Sequence, residues 1–408
     1  MSFGPTTTSI QGVSFTQLAE QFGTPLYVYD ASKIVEQINT LKTSFSGIDL
    51  KIKYAAKALT NVSILALMKK QGIGVDVVSI NEGKLALHAG FASSDIMFTP
   101  SGVDFQEIVE AVELGFSLNL DNLSSLEKLG VKYGNTKACA IRINPGVMAG
   151  GNYKISTGHI HSKFGISIQQ LPQIIEIVEK YNIKINGLHV HTGSEVVDVE
   201  VFLTVASILF TAGLQFSDLE FIDFGGGFKV AYREDDKITD IQGLGQALSE
   251  SFQIFCKRYG KNLQAWIEPG KFLVSEAGYL LTKTTVVKET PTLTFVGVNT
   301  GLNHLIRPMM YDAYHEITNA SNPTGEKKTY NIVGYICETD TLGAERELNK
   351  VSEGDLLVIH NAGAYGFSMA SNYNSRVRPA EVLIENGKAR LIRKQETLED
   401  LLRSQQIE

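Results

Sequence analysis

Short apolar, β-rich runs recur along the first two thirds of the chain, and stretches with helical spacing fill the gaps between most of them. The runs fall at Lys51–Ala55, Gly74–Val78, Ile96–Phe98, Ser117–Leu120, Cys139–Ile143, Asn186–His191, Leu219–Asp223 and Ala265–Glu268. Between them Val62–Gln71, Glu82–His88, Phe105–Leu114, Leu123–Tyr133 and Leu171–Lys180 predict helices. Strands alternating with helices predict βαβ units and a parallel sheet. Eight such units in about 240 residues match the size of a closed, TIM-like (β/α)8 barrel. An open doubly wound sheet is the rival arrangement.

Past Gly270 the pattern changes. Tyr279–Val287, Leu293–Val298, Tyr330–Cys337, Asp355–His360, Arg378–Leu383 and Ala389–Arg393 read as strands joined by turns, with few helical stretches between them. That texture predicts an antiparallel β domain. One further strand, Pro25–Asp30, precedes the barrel and is free to pair with this second sheet. The expected fold is therefore α/β: a barrel over 31–270, inserted into a β-sandwich or β-barrel-like domain of 1–30 plus 271–408.

The 408 residues suit about two domains, and 43% hydrophobic content is enough for a large core. A net charge of -7 argues against a nucleic-acid or anionic-membrane partner. There is no apolar run of membrane-spanning length and no signal-peptide pattern, which points to a cytoplasmic protein. Three widely spaced cysteines, Cys139, Cys256 and Cys337, fit reduced thiols there, and no clustered set suggests structural zinc.

Chemistry in a barrel sits at the C-terminal strand ends. Lys57 follows the first strand in KIKYAAKAL, where a buried amine with a lowered pKa would make a Schiff-base nucleophile. A strand-end lysine reaching for solvent is the plainer alternative. Gly225, Gly226 and Gly227 follow the seventh strand and would let backbone N–H groups approach a phosphate, or else simply make a tight turn. Glu268, in WIEPGKF, points into the barrel mouth and could face a protonated pyridine nitrogen or form a structural ion pair.

His189 and His191, in HVHTGSE, lie two apart and so share one side of the sheet; His159 and His161 form a second HxH pair. Either pair could ligate a metal, although no carboxylate accompanies it at motif spacing. The preferred reading puts His191 over a cofactor ring with Ser194 near its phosphate, leaves His189 a core histidine, and assigns no metal. Farther on, Arg307 and Tyr311 are four apart, and an arginine grips a carboxylate bidentately. Cys337 could donate a proton and Glu338 bind an ammonium group, against the bland reading of Cys337 as a small buried hydrophobe. Tyr365 lies in a glycine-rich loop able to reach a phosphate.

Together YAAKAL, GVDVVSINEGKLAL, ISTGHIHSKFGIS, HVHTGSE, DFGGGF, EPGKF, RPMMYDAYHEI, YICETD and GAYGFSMASNYNSR resemble the diaminopimelate decarboxylases. These are fold-type III pyridoxal-phosphate enzymes related to ornithine decarboxylase and alanine racemase. The resemblance runs from FGTPLYVYD to RPAEVL, nearly the whole chain. It implies a pyridoxal 5'-phosphate cofactor held covalently by Lys57 and surrounded by His191, Ser194, Gly225, Gly226, Gly227, Glu268, Pro269, Gly270, Lys271 and Tyr365. It implies substrate contacts at Lys271, Arg307, Tyr311, Glu338 and Tyr365, with Cys337 as proton donor. It further implies a homodimer with shared active sites, and decarboxylation of meso-diaminopimelate at its D-centre to L-lysine and CO2, the last step of lysine biosynthesis.

Two positions depart from the family pattern. The usual EPGR reads EPGK, placing Lys271 where an arginine is expected, and the usual HxGSQ reads HTGSE, with Glu195 for glutamine. Neither touches the cofactor chemistry, but both bear on the exact substrate contacts. The rivals are a sister decarboxylase of another amino acid or siderophore intermediate, a metal-dependent barrel hydrolase, and a catalytically dead regulatory homologue. The last conflicts with the presence of Lys57, Glu268 and Cys337.

Overall fold

A computed structural model describes residues 8–148 and 157–407. The chain divides into two compact units, one of residues 37–230 with 237–272, the other of residues up to 36, 231–236 and those from 273 onward.

The first unit is the closed barrel. Its eight parallel strands are Leu50–Ala55, Gly74–Val77, Ile96–Phe98, Ser117–Leu120, Cys139–Asn144, Ile185–His189, Phe221–Asp223 and Gln264–Ile267. Each pairs with the next in this order, and the last pairs back onto the first, leaving no free edge. The two-residue strand Ile166–Ser167 adds outside the ring, on Cys139–Asn144. Most helices between the strands begin at a side-chain cap: Asn61, Ser79, Asp104, Asn122, Asp198 and Asp240 each accept a backbone N–H of the first turn. Each such cap stabilises its helix by about 1 kcal/mol.

Period-2 alternation divides the barrel interior into two layers, because residues i and i+2 point the same way. Met97, Ala140, Phe221 and Trp266 form an apolar plug, with the Phe221 and Trp266 rings stacked 3.7 Å apart. A Cβ at Gly187 would lie 2.2 Å from Cζ of Phe221, so only glycine leaves room for that ring. Two residues farther along the same strands stand Arg142, His189, Asp223 and Glu268, all buried. The alternation thus stacks a polar ring on an apolar plug, at the strands' C-terminal ends.

The second unit is built on a mixed sheet. Leu26–Asp30 lies between Gly278–Glu289, antiparallel to it, and Ala380–Glu385, parallel to it. Thr294–Val298, Lys327–Val333 and Thr341–Asn349 extend the sheet on one side, and Lys388–Arg393 on the other. The sheet is mostly antiparallel, as expected, but Leu26–Asp30 with Ala380–Glu385 and Thr294–Val298 with Lys327–Val333 are parallel pairs. Its core includes Phe15, Leu18, Leu26, Val28, Leu281, Val358, Val382 and Ile384. Among the described residues no helix is long and apolar enough to cross a membrane.

Candidate active site

At the barrel mouth the first strand ends at Ala55, and Lys57 sits in a single 3-10 turn, Ala56–Ala58. Its neighbours Ala56 and Ala58 are buried, but the lysine side chain is 38% exposed, so the amine is not the buried one expected from the YAA run. Its Nζ lies 3.9 Å from Oδ2 of buried Asp76. The turn holds the lysine at the rim while its alanine flanks pack inward.

Glu268 follows the last barrel strand and is 6% exposed. Nε2 of His189 is 2.8 Å from its Oε2. Burial drives the His189 pKa down, while the charge and hydrogen bond of this carboxylate pull it up. Burial would raise the Glu268 pKa, but the charge and hydrogen bond of His189, and then the charge of Lys57, prevail and hold it at about 2. Asp223 goes the other way: burial and the charge of Glu268 push its pKa well up, so it retains a proton. The result is a fixed anion, Glu268, beside a protonated Asp223. Its Oε1 has no hydrogen-bond partner among the described residues.

His191 lies beyond the strand, which ends at His189, so the two histidines do not share a strand face. His191 accepts the Gly226 N–H at its Nδ1, 3.2 Å away, while burial and the charge of Lys57 push its pKa well down. Gly225 donates its N–H to Oδ1 of Asp223. Two of the three glycine amides are therefore bonded within the mouth. Cβ atoms at Gly225, Gly226 and Gly227 would lie 2.3, 2.3 and 2.2 Å from the carbonyl oxygens of Val190, Glu268 and Gly193. The triplet is first a close-packing turn that draws three strand-end loops together. Ser194 is half-buried in one of those loops.

A histidine of each HxH pair is hydrogen-bonded within the chain. His189 is engaged by Glu268, and the His159 and His161 rings stand 6.4 Å apart with Nδ1 of His159 accepting the His161 N–H. The first two residues of the ISTGHIHSKFGIS motif lie outside the described residues. Donor atoms of His189, Asp223 and Glu268 do lie within 4.8 Å of one another. A metal there would compete with the proton held on Asp223 and with the His189–Glu268 bond.

Three members of this ring escaped the sequence reading. Asp76, Arg142 and Asp223 are buried charged residues, and the available signal was a charge two places after an apolar inward-facing position at a strand end. For Asp76, burial and the charge of Glu268 raise the pKa to about 7. A folded pKa above the unfolded value means that ionisation opposes folding. The penalty is absent at about pH 4, grows as pH rises, and is complete above about pH 7. In cofactor-free protein, Asp76→Asn should therefore raise the melting temperature at pH 8, and the gain should fade on acidification to pH 4. A gain of equal size at both pH values would contradict this assignment.

In the second unit Arg307 is buried and opens a one-turn helix, Arg307–Tyr311, with Tyr311 half-buried at its end. Nη1 of Arg307 donates to Oη of Tyr232 at 2.7 Å, and Nε2 of His315 lies 3.4 Å away. Cys337 is exposed and lies in a loop, because its strand stops at Val333. The small-buried-hydrophobe reading of Cys337 therefore fails. Asn374 donates to its Sγ at 3.1 Å, and Oη of Tyr373 lies 3.5 Å from Sγ and donates to Glu338 at 3.0 Å. Hydrogen bonding with Tyr373 and Asn374 lowers the thiol pKa. Buried Asp340 organises this loop by accepting the N–H groups of Leu302 and Ile336. Tyr365 is half-buried with φ +56°, between Gly363 and Gly366, where a Cβ would strike Val274 and Ala362.

These residues fit pyridoxal phosphate. Glu268 offers a charged oxygen without a partner for a protonated pyridine nitrogen, neutral His191 offers a ring face, and Lys57 offers an accessible amine. The profile of the family described as pyridoxal-dependent decarboxylase, pyridoxal binding domain, matches residues 31–275. A diaminopimelate decarboxylase of Methanothermobacter thermautotrophicus is 37% identical, covering 98% of this chain and 95% of its own. The solved diaminopimelate decarboxylase of M. jannaschii, in co-complex with L-lysine, superposes with a TM-score of 0.90 at 34% identity, covering 97% of this chain and 95% of that one. The Helicobacter pylori diaminopimelate decarboxylase, complexed with L-lysine, gives 0.87 at 34% identity over 96% and 98%. With a profile spanning the barrel and relatives this similar along their whole length, the chain belongs to the pyridoxal-phosphate-dependent diaminopimelate decarboxylase family.

Proposed function

We propose that the protein removes the carboxylate from the D-centre of meso-diaminopimelate, giving L-lysine and CO2. The observation that carries this reading is the fixed anion at the barrel mouth, Glu268, held by His189 and flanked by a protonated Asp223. Pyridoxal phosphate, when bound, supplies an electron sink for the pair left behind by departing CO2. Glu268 keeps that sink effective by holding a proton on the pyridine nitrogen. Lys57 holds the cofactor and afterwards receives the proton of the incoming amine. Neutral His191 presents a flat ring without a competing charge. Ser194, Gly225, Gly226, Gly227, Pro269, Gly270 and Tyr365 are assigned to its surroundings.

Cys337 returns a proton to the former carboxyl-bearing carbon. Its lowered pKa and its bonds to Tyr373 and Asn374 support this role. Arg307 and Tyr311 are assigned to the distal carboxylate, Glu338 to the distal ammonium, and Lys271 to a substrate anion. The working form is a homodimer in the cytoplasm, with the segment carrying Cys337 and Glu338 serving the other subunit's site. Exposed Met309, Met310 and Tyr373 in the same unit as exposed Cys337 support a covered surface there.

The test compares CO2 release from diaminopimelate, ornithine and arginine. Turnover should be confined largely to diaminopimelate, with lysine as product; absence of lysine ends the assignment. In Arg307→Ala, kcat/KM for diaminopimelate should fall about 10- to 150-fold, the worth of a charge-assisted hydrogen bond. Selectivity against ornithine should shrink in parallel.

A further inference from the structure

Glu195 and Lys271, the two departures from the family pattern, meet each other. Nζ of Lys271 lies 2.8 Å from Oε1 of Glu195, and the two side chains are 8% and 26% exposed. Glu195 stands in a loop, and Lys271 opens the one-turn helix Lys271–Val274 after the last barrel strand. Glu195 follows Ser194, and the next residue, Val196, donates its N–H to the carbonyl of Gly227. Lys271 follows Gly270, whose Cβ position lies 3.2 Å from the Cβ atoms of Ala55 and Ala58 on either side of Lys57. Glu195 also holds φ +66°, a left-handed conformation that a non-glycine residue adopts only when its surroundings impose it.

We propose that Glu195 and Lys271 form a specificity-determining pair in which the glutamate sets how strongly the lysine's charge is offered to an anionic group of the substrate. A lone lysine this deep would be an uncompensated cation, attractive to any carboxylate or phosphate. Paired, the two sum to zero charge, and a ligand carboxylate must share the ammonium with Glu195. The native site is thereby detuned for general anions, and only a ligand anchored elsewhere as well gains from Lys271. Because a lysine lacks the planar fork of arginine, it binds as a point charge and responds directly to this neutralisation. The inference rests on the decarboxylase reading for the nature of its ligand.

The test is a charge cycle in the cofactor-loaded enzyme, with glutarate as an unreactive dicarboxylate probe titrated by calorimetry. Glu195→Gln leaves the pair at +1 and should bind glutarate about three- to tenfold more tightly than wild type at low salt, less so at high salt. Lys271→Gln leaves -1 and should bind it more weakly by a similar factor, while the double variant should return to within about twofold of wild type. In turnover, KM for diaminopimelate should follow the same order, with kcat changing less. A purely structural staple predicts that both single variants bind more weakly. Hence Glu195→Gln binding glutarate no more tightly than wild type overturns the proposal. If that variant does not fold, Glu195→Ala, which removes the same charge, must shift affinity in the same direction, and unchanged or weaker binding overturns it equally. Wild-type enzyme that makes no lysine would overturn the decarboxylase reading, whereas the order of glutarate affinities judges the pair by itself.

Discussion

Lys57→Ala should abolish turnover, with a loss of at least about 10²- to 10⁴-fold from its proton-transfer role alone. The purified variant should also lose the visible absorption of the bound cofactor, and borohydride reduction should label no peptide containing residue 57. The fold should not suffer. Tyr54 donates to the Leu59 carbonyl and Thr60 to the Ala56 carbonyl, so the turn around position 57 is braced without the lysine side chain. With that side chain 38% exposed, the variant should stay folded, losing only the attraction of the ammonium for Asp76 and Glu268. Lys57→Arg sharpens the test: it keeps a cation beside Asp76, but a guanidinium that never gives up its proton cannot serve as the amine nucleophile. Both variants should therefore be folded and inactive. Normal cofactor absorption in either would remove Lys57 from the chemistry.

How far this site could be read from the chain depended on what each residue's signal required. Lys57, Glu268 and the glycine triplet were visible because strand ends are local features, and three strands matched their expected ends closely. His191 was placed on a strand that in fact stops at His189, since β-propensity in LHVH does not say where pairing ends. Membership of Arg142, Asp76 and Asp223 in the polar ring depends on closure of the barrel, a long-range event that leaves each looking like an ordinary charged strand residue. Cys337 was read as the end of a strand, yet the carboxylate of Asp340 folds the segment into a loop. Two helices, Val199–Gly213 and Ile241–Tyr259, went unread. The first is apolar nearly all round and shows no stripe. The strand Thr341–Asn349 was hidden by the run Glu345, Arg346, Glu347, which interrupts its alternation.

Glu268→Gln should lower kcat about 10²- to 10³-fold, the scale for removing one preorganised electrostatic contact from an enclosed site. The substitution is nearly isosteric, and its amide oxygen still accepts the His189 N–H, so the loss should come from the charge and not from displaced loops. With no anion beside it, the pyridine nitrogen loses the proton that makes the ring an electron sink. The cofactor should remain attached through Lys57, which separates this variant from Lys57→Ala: absorption is retained and turnover is lost. Stability supplies a second reading. The carboxyl pKa lies near 2 in the folded protein, below the unfolded value, so Glu268 stabilises the fold above about pH 4 and progressively less as pH falls toward 2. Wild type should thus melt above Glu268→Gln at pH 7, by a margin that closes on acidification. Removing the anion also lets Asp223 release its proton more easily, since the charge of Glu268 is one of the forces holding it there. In the variant Asp223 can become the ring's anion, and the double variant Glu268→Gln with Asp223→Asn should then be slower than either single change. Unimpaired turnover in Glu268→Gln would mean that the charge at the centre of the mouth is not what drives the reaction.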